Sequence, residues 1–271
     1  MRFFMLSSVF CPPSSDRRGA IPAKDMTAPI SRQELLIFTI ARLLEGCRHV
    51  AVGAASPIPG AGALLCRALA RERLFVTVLG SLRFNGTTNG GVELFDMAAQ
   101  GRVDAFFLGG GQIDGHANIN LVGAGGDYPR TQVRWPGSFG SAYLYYLVPR
   151  VILFREEHSR RVMVPKVDFI SAPGPCDDGV YRPGGPIGLL TNLCWFTFDR
   201  QRRGFRLQSV HPGHTVEEVR DNTGFDYECP AGVAETPSPD AATLALIRSR
   251  IAREIGQTYP RFVKQVFPEA A

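Results

Sequence analysis

Helical and extended hydrophobic periods alternate along the first half of the chain. Ser31-Arg32-Gln33-Glu34 has the form of a capping box, in which the Ser31 hydroxyl accepts from the Glu34 amide while the Glu34 side chain reaches back. Behind it Leu35, Leu36, Phe38, Thr39, Leu43 and Leu44 supply an apolar helix face, and Gly46 closes the helix. Residues 49–54 are a continuous apolar run that reads as a buried strand, followed by a small-residue loop over 55–60 and a helix over 61–71. A strand over 73–79, a short helix over 92–100 and a strand over 103–108 continue the alternation. Apolar strands interleaved with helices predict an α/β fold, an open and mostly parallel sheet flanked by helices.

The second half is richer in β pattern. Residues 151–154, 161–164, 188–198 and 205–210 are strand candidates, and a Gly/Pro-rich loop spans 172–185. Thr215-Val216-Glu217-Glu218 repeats the capping-box form and starts a helix that Gly224 ends. Ser238-Pro239 starts the last long helix, where Leu244, Ile247, Ile251 and Ile255 form a stripe suited to a core or a subunit interface.

Composition narrows the class. The chain has 271 residues, of which 45% are hydrophobic. It contains no apolar run near the ~20 residues that cross a bilayer, so a membrane protein is not expected. Residues 1–28 lack usable periodicity and read as a disordered extension, with Met26 as an alternative start and an overlong gene as the reason; residues 29–271 read as a single domain. The formal charge is +5, and without residues 1–25 it falls to +3. Arg160-Arg161 and Arg202-Arg203 are isolated pairs, so no nucleic-acid partner is expected. Cys11, Cys47, Cys66, Cys176, Cys194 and Cys229 are scattered without a Cys-x-x-Cys pair, which suits buried thiols in a reducing, cytoplasmic setting. No metal is expected: His211-x-x-His214 encloses a Pro-Gly turn, and Cys176-Asp177-Asp178-Gly179 reads as a turn.

The candidate chemistry lies in residues 108–120. Three glycines, Gly109, Gly110 and Gly111, follow a buried strand and bring bare backbone to a sheet edge, where N–H groups can meet a carbonyl or phosphate. Gln112, Asp114, His116, Asn118 and Asn120 follow within nine residues and suit a loop fixed by its own hydrogen bonds. Gly60-Ala61-Gly62 also opens a helix after a strand, but Leu65 occupies the third glycine position and no carboxylate ends the next strand, so a dinucleotide site is not expected.

The run Gly109-Gly110-Gly111-Gln112-Ile113-Asp114-Gly115-His116-Ala117-Asn118-Ile119-Asn120 resembles the G-G-x-Q-[IV]-D-x-x-G-N-x-N signature of beta-type subunits in the type I coenzyme A transferase family, with Ala117 in place of a glycine. Further agreement lies in Pro136-Gly137-Ser138-Phe139-Gly140-Ser141, Val167-Asp168-Phe169-Ile170, His211-Pro212-Gly213-His214-Thr215 and Thr223-Gly224-Phe225, so the likeness spans residues 31–250. It implies a subunit that works on a CoA thioester together with an alpha-type partner, as a heterotetramer, with no permanently bound cofactor. It assigns Gly110, Gly111, Gln112 and Asp114 to an oxyanion or positioning loop. Gly137, Ser138, Phe139 and Gly140 match a second such loop, with Phe139 where the family has glycine. Asn118, Asn120, Gly80 and Ser81 are the implied substrate contacts.

One element of the family pattern is missing. Transferases of this type form a glutamyl-CoA thioester on a Glu-[Ser/Asn]-Gly motif after the strand that corresponds to residues 73–79. Here that segment reads Leu79-Gly80-Ser81, and no Asp or Glu occurs from Arg73 through Val92. Glu72 and Glu93 flank the gap and suit helix termini. Nucleophilic catalysis needs a carboxylate that apolar atoms cannot replace. The expectation is a hydrolytic or ring-cleaving CoA-thioester enzyme of the steroid-catabolism branch, whose partner supplies the acid. Alternatives are a glutaconate-type transferase and a non-catalytic structural subunit. Ser138 lacks the full Gly-x-Ser-x-Gly frame, since Pro136 takes the first glycine's place, and no histidine is tied to it in sequence.

Overall fold

The computed structural model describes residues 29–70, 72–88 and 91–270. The extension and the start expected within residues 1–28 lie outside these. The helices are α1 (Arg32–Leu43), α2 (Pro57–Leu69), α3 (Val92–Ala99), α4 (Ser141–Leu147), α5 (Val216–Asn222), α6 (Ala241–Leu246), α7 (Ala252–Gly256) and α8 (Pro260–Val266). The strands are β1 (His49–Val52), β2 (Phe75–Val78), β3 (Ala105–Leu108), β4 (Gln112–Ile113), β5 (Ile119–Asn120), β6 (Gly123–Ala124), β7 (Val133–Arg134), β8 (Arg150–Arg155), β9 (Pro186–Thr191), β10 (Cys194–Asp199), β11 (Gly204–Val210) and β12 (Ala234–Glu235). Eight of them form one sheet in the order β12-β11-β10-β9-β8-β3-β1-β2, while β4-β5 and β6-β7 are separate two-stranded ribbons. From β2 to β9 every neighbouring pair is parallel, and β10 runs antiparallel to both β9 and β11.

Alternation within the apolar runs decides which face each side chain joins. Val50, Val52, Ala105, Phe107 and Ile152 pack into a core with α1, α2 and the C-terminal helices. Ala51, Phe106, Leu108, Val151 and Leu153 point the other way, into a second core with Leu94 of α3, Leu144 and Tyr145 of α4, and Val219 of α5. Both faces are thus covered, as expected for parallel strands. No helix among the described residues is long and apolar enough to cross a membrane.

The capping box at α1 forms in both directions, with Glu34 N to Ser31 Oγ at 3.3 Å and Ser31 N to Glu34 Oε2 at 2.8 Å. At α5 only half of the expected box forms: Glu218 N donates to Thr215 Oγ1, but the Glu218 carboxylate turns to His214 Nδ1 at 2.8 Å. Helix α2 begins four residues before the expected position, because Pro57 takes the first helical position, where its missing N–H costs nothing. Its glycines serve packing: a Cβ on Gly62 would lie 2.4 Å from Ile40 Cγ2 of α1. The long helix expected after Ser238-Pro239 begins as α6, capped by Asp240, whose carboxylate accepts from Thr243 N, and α6 and α7 are joined through a π turn over Ile247–Ile251.

Two strand expectations change. Residues 188–198 form a hairpin, because Thr191 Oγ1 accepts from the amides of Leu193 and Cys194, each at 3.2 Å, and turns the chain between β9 and β10. Residues 161–164 are no strand of the sheet. Met163 makes only an isolated bridge to Ile113, with Ile113 N donating to Val162 O and Val164 N to Ile113 O.

Candidate functional site

Parallel strands place their carboxyl ends along one edge, and in open α/β sheets that edge is where ligands bind. Here it carries Gly53 after β1, Leu79-Gly80-Ser81 after β2 and Gly109-Gly110-Gly111 after β3. Because α3 and α4 run back against the strands, their amino ends, entered through left-handed Gly91 (φ 79°) and Gly140 (φ 102°), rise at the same edge.

From the three glycines the chain folds into the β4-β5 ribbon, and its polar side chains hold that ribbon in shape. Asp114 is buried and accepts from His116 N at 3.0 Å, Asn118 N at 3.1 Å and Asn118 Nδ2 at 3.1 Å. Asn118 Oδ1 in turn accepts from Gly174 N at 3.0 Å. At the open end, Asn120 Nδ2 donates to Gln112 Oε1 at 2.7 Å and to Gly123 O at 2.8 Å, while its Oδ1 accepts from the amides of Val122 and Gly123. Gln112 Oε1 also receives Asp168 N at 3.0 Å. All four side chains are buried and engaged with neighbouring chain, so they position backbone. His116 lies at the ribbon tip, with Nδ1 2.9 Å from Arg203 O.

The glycines are also shaped by packing. A Cβ on Gly111 would meet the Trp135 ring at 2.2 Å, and one on Gly110 would lie 2.6 Å from Ile119 Cγ2. The Gly111 amide donates to Asn120 O at 2.9 Å, leaving it committed to the ribbon. Trp135 leads directly into the second glycine loop. Gly137 N donates to Leu121 O at 3.1 Å, so the structure brings the two loops together. In the second loop Gly137 (φ 98°), Phe139 (φ 47°) and Gly140 (φ 102°) are all left-handed, and open space surrounds the position of a Gly137 Cβ. Left-handed backbone strains a phenylalanine, and Phe139 is 79% exposed with its ring tilted against Phe95 at 6.3 Å. Ser138 O accepts from the amide and hydroxyl of Ser141.

Gly80 and Ser81 stand apart from these loops, across β1. Ser81 is buried and its hydroxyl accepts from Phe84 N at 3.1 Å, closing its own turn. Leu79 occupies the carboxyl end of β2, its amide bonded to Val52 O at 3.0 Å. Of the flanking carboxylates, Glu93 accepts from Thr88 N and Glu72 is exposed.

Three supporting residues have no role in the sequence reading, although Asp168 lies in the 167–170 run that it matched to the family. Trp135 covers Gly111, Asp168 accepts from Gly125 N at 2.8 Å, and the Tyr145 hydroxyl donates to Ala117 O at 2.8 Å. Burial pushes the Tyr145 phenol far above its ordinary range, so it stays a donor to Ala117, itself left-handed at φ 60°. Each contact joins residues distant in sequence, and no local pattern announces it. The histidines of the His-Pro-Gly-His turn have partners outside the loops: His211 bonds Thr236 Oγ1 at 2.8 Å and Thr191 O at 2.9 Å, and His214 bonds Glu218.

Comparison with known proteins agrees with this geometry. The family model described as Coenzyme A transferase matches residues 34–222. The chain is 35% identical over 168 residues to the B subunit of 3-oxoadipate CoA-transferase from Pseudomonas knackmussii, a match covering 59% of this chain and 64% of that one. It is 28% identical over 249 residues to the B subunit of glutaconate CoA-transferase from Acidaminococcus fermentans, covering 82% and 92%. Among solved structures, the decarboxylase AibA/AibB aligns with a TM-score of 0.71 at 27% identity, covering 81% of this chain and 94% of that one. IpdAB of Rhodococcus jostii aligns with a TM-score of 0.70 at 26% identity, covering 82% and 94%. These relatives carry different reactions on one scaffold. The chain belongs to the coenzyme A transferase family, as a beta-type subunit.

Proposed function

We propose that this chain is the beta-type half of a two-subunit, cytoplasmic enzyme that hydrolyses or ring-cleaves a CoA thioester, with the reactive carboxylate on an alpha-type partner. The observation that carries this reading is Leu79-Gly80-Ser81 at the carboxyl end of β2, with no Asp or Glu from Arg73 through Val92. Leucine cannot form the acyl adduct of a covalent transferase. The thioester oxygen is placed against backbone at Gly110 and the loop Gly137-Ser138-Phe139-Gly140, where one well-aimed oxyanion donor is worth about 3 kcal/mol. Gln112, Asp114, Asn118 and Asn120 act as positioning residues behind that backbone. The cholesterol ring-cleaving hydrolase IpdB subunit of Rhodococcus jostii, 28% identical over 239 residues, supports the hydrolytic branch.

Transfer of CoA between acids is the second reading, favoured by the 35% identity to the 3-oxoadipate enzyme. Turnover of a panel of acyl-CoA thioesters, steroid-derived ones included, with and without an acceptor carboxylic acid separates the two. The complex with its partner is expected to consume the thioester in water without an acceptor acid, giving free CoA and an acid by thioester hydrolysis or a ring-opened acyl-CoA one water heavier by carbon–carbon cleavage, and each subunit alone to be inactive. Consumption of the donor thioester that requires added carboxylic acid, with CoA recovered as the thioester of that acid and no free thiol, would favour transfer.

A further inference from the structure

At the amino edge of the parallel strands, opposite the glycine loops, two arginines, the half-buried Arg182 and the exposed Arg200, lie on backbone carbonyls without a carboxylate to meet them. Arg182 donates through Nη1 to Pro173 O at 2.8 Å and Gly174 O at 2.6 Å, and through Nη2 to Tyr145 O at 3.2 Å. Its guanidinium lies 5.0 Å from the Tyr145 ring centroid and 5.4 Å from that of Tyr146. Arg200 donates to Pro186 O, to Pro149 O at 2.8 Å and to Gly185 O at 3.1 Å. Neither forms an ion pair among the described residues, and the buried Arg182 Nε has no hydrogen-bond partner there. Carbonyl oxygens satisfy donors but leave the charges unneutralised, and burial pulls both guanidinium pKa values below the ordinary arginine value, with mutual repulsion adding to it at Arg182.

Both side chains line a cavity of about 280 Å³, together with Arg203, Asp177 and Asp178. Arg203 pairs with Asp178 at 2.8 Å, but that carboxylate is 99% exposed, so water competes for the pair. The cavity is below the size of ordinary small-molecule sites, about 300–1,000 Å³, and so suits a single charged group with its waters better than a nucleotide. Arginine forks match tetrahedral oxyanions, which accept from several guanidiniums at once.

We propose that this cavity binds a phosphate-type oxyanion, held by Arg200 and Arg203 and neutralising the charge of Arg182. The anion is either free phosphate or the phosphate end of a larger molecule such as CoA. The cavity touches the β4-β5 ribbon twice, through Gly174 N on Asn118 Oδ1 and through Arg203 O on the His116 ring, so an occupied site braces the tip of the candidate functional loop. The site rests on arginines and a cavity that the proposed hydrolytic function does not use.

The test is a calorimetric titration of inorganic phosphate into the full chain, purified with the subunit that accompanies it, against chloride at equal ionic strength. Saturable phosphate binding is expected, weakened about tenfold by Arg200→Gln and severalfold by Arg203→Gln, with chloride giving no saturation. Absence of saturable binding to the unaltered protein overturns the proposal, as does unchanged affinity in both variants. If Arg200→Gln fails to fold, Arg203→Gln alone decides. Titrations with CoA and with dephospho-CoA identify the source. Competition between phosphate and CoA, with dephospho-CoA binding more weakly, assigns the anion to the 3′-phosphate of CoA. Saturable phosphate binding without that competition assigns it to free phosphate. A protein that binds phosphate but no CoA contradicts the reading under Proposed function and leaves this site standing.

Discussion

At the scale of single residues, the account rests on buried polar side chains that hold backbone. Asn120 uses both ends of its amide, donating to Gln112 Oε1 and Gly123 O and accepting from Val122 N and Gly123 N. Replacing it leaves several buried groups unpaired, at roughly 1–3 kcal/mol each before relaxation. Asn120→Ala is therefore expected to lower unfolding stability by about 3 kcal/mol, read as a shifted urea midpoint at unchanged slope. A change below about 0.5 kcal/mol would mean that these hydrogen bonds do not support the loop. The sequence already displayed this role, since five polar residues in nine read as a self-bonded loop. It did not display why Gly111 is glycine. Sheet-edge glycines suggested access for a ligand, whereas the Trp135 ring lies where a Gly111 Cβ would stand, and Gly111 N is already bonded. That contact spans 24 positions, beyond the reach of any local period.

Among elements, close approach between helices has a comparable signature. Helices α1 and α2 meet where Gly62 faces Ile40, with 2.4 Å between a virtual Cβ and Cγ2. Overpacking of this kind costs typically 1–3 kcal/mol. Gly62→Ala is expected to destabilise by that amount, and Ile40→Ala, which removes the clashing Cγ2, to make the pair cost less than the sum of the two single losses; a thermal unfolding series on the two single variants and the pair reads the coupling. Additive losses would show that the helices are not in contact through these residues. Element types and order in the first half were legible because apolar runs and capping residues are local features. The limits of that legibility are physical. Thr191 turns an apolar stretch by accepting from two amides, and neither its β-branched shape nor its neighbours break the strand pattern. Helix α2 starts at Pro57 because proline suits a first turn as well as a loop, and the same residues were read as loop.

For the whole molecule, the second core contains a buried histidine pair that ties the β-rich half together. His158 bridges Thr191 Oγ1 at 2.8 Å and Thr223 Oγ1 at 2.9 Å, and His211 bridges Thr236 Oγ1 and Thr191 O. Burial pushes both imidazoles down to about 4 from an ordinary 6.5, so the fold holds them neutral. As pH falls below about 6.5 the unfolded chain takes up protons that the folded one refuses. Stability is then full above that pH and declines through the window from about 6.5 to 4. A loss of several kcal/mol between pH 7.5 and 4.5 is expected in urea unfolding, and it should shrink in His158→Gln. A flat profile would place these rings in water.

Family membership also belongs to this scale, because the two glycine loops meet only when the ribbon and α4 are packed against the sheet. The missing acid was legible in sequence, since a carboxylate is either present after β2 or not. Under the proposed function, what supplies it lies on the alpha-type partner. The most direct measurement is trapping during turnover: the complex with its partner is treated with acyl-CoA and borohydride or hydroxylamine, and both subunits are mapped by peptide mass spectrometry. The account predicts that no carboxylate of this chain is converted to the hydroxamate or the reduced alcohol. A glutamate of this chain so converted, marking a glutamyl thioester, would contradict it.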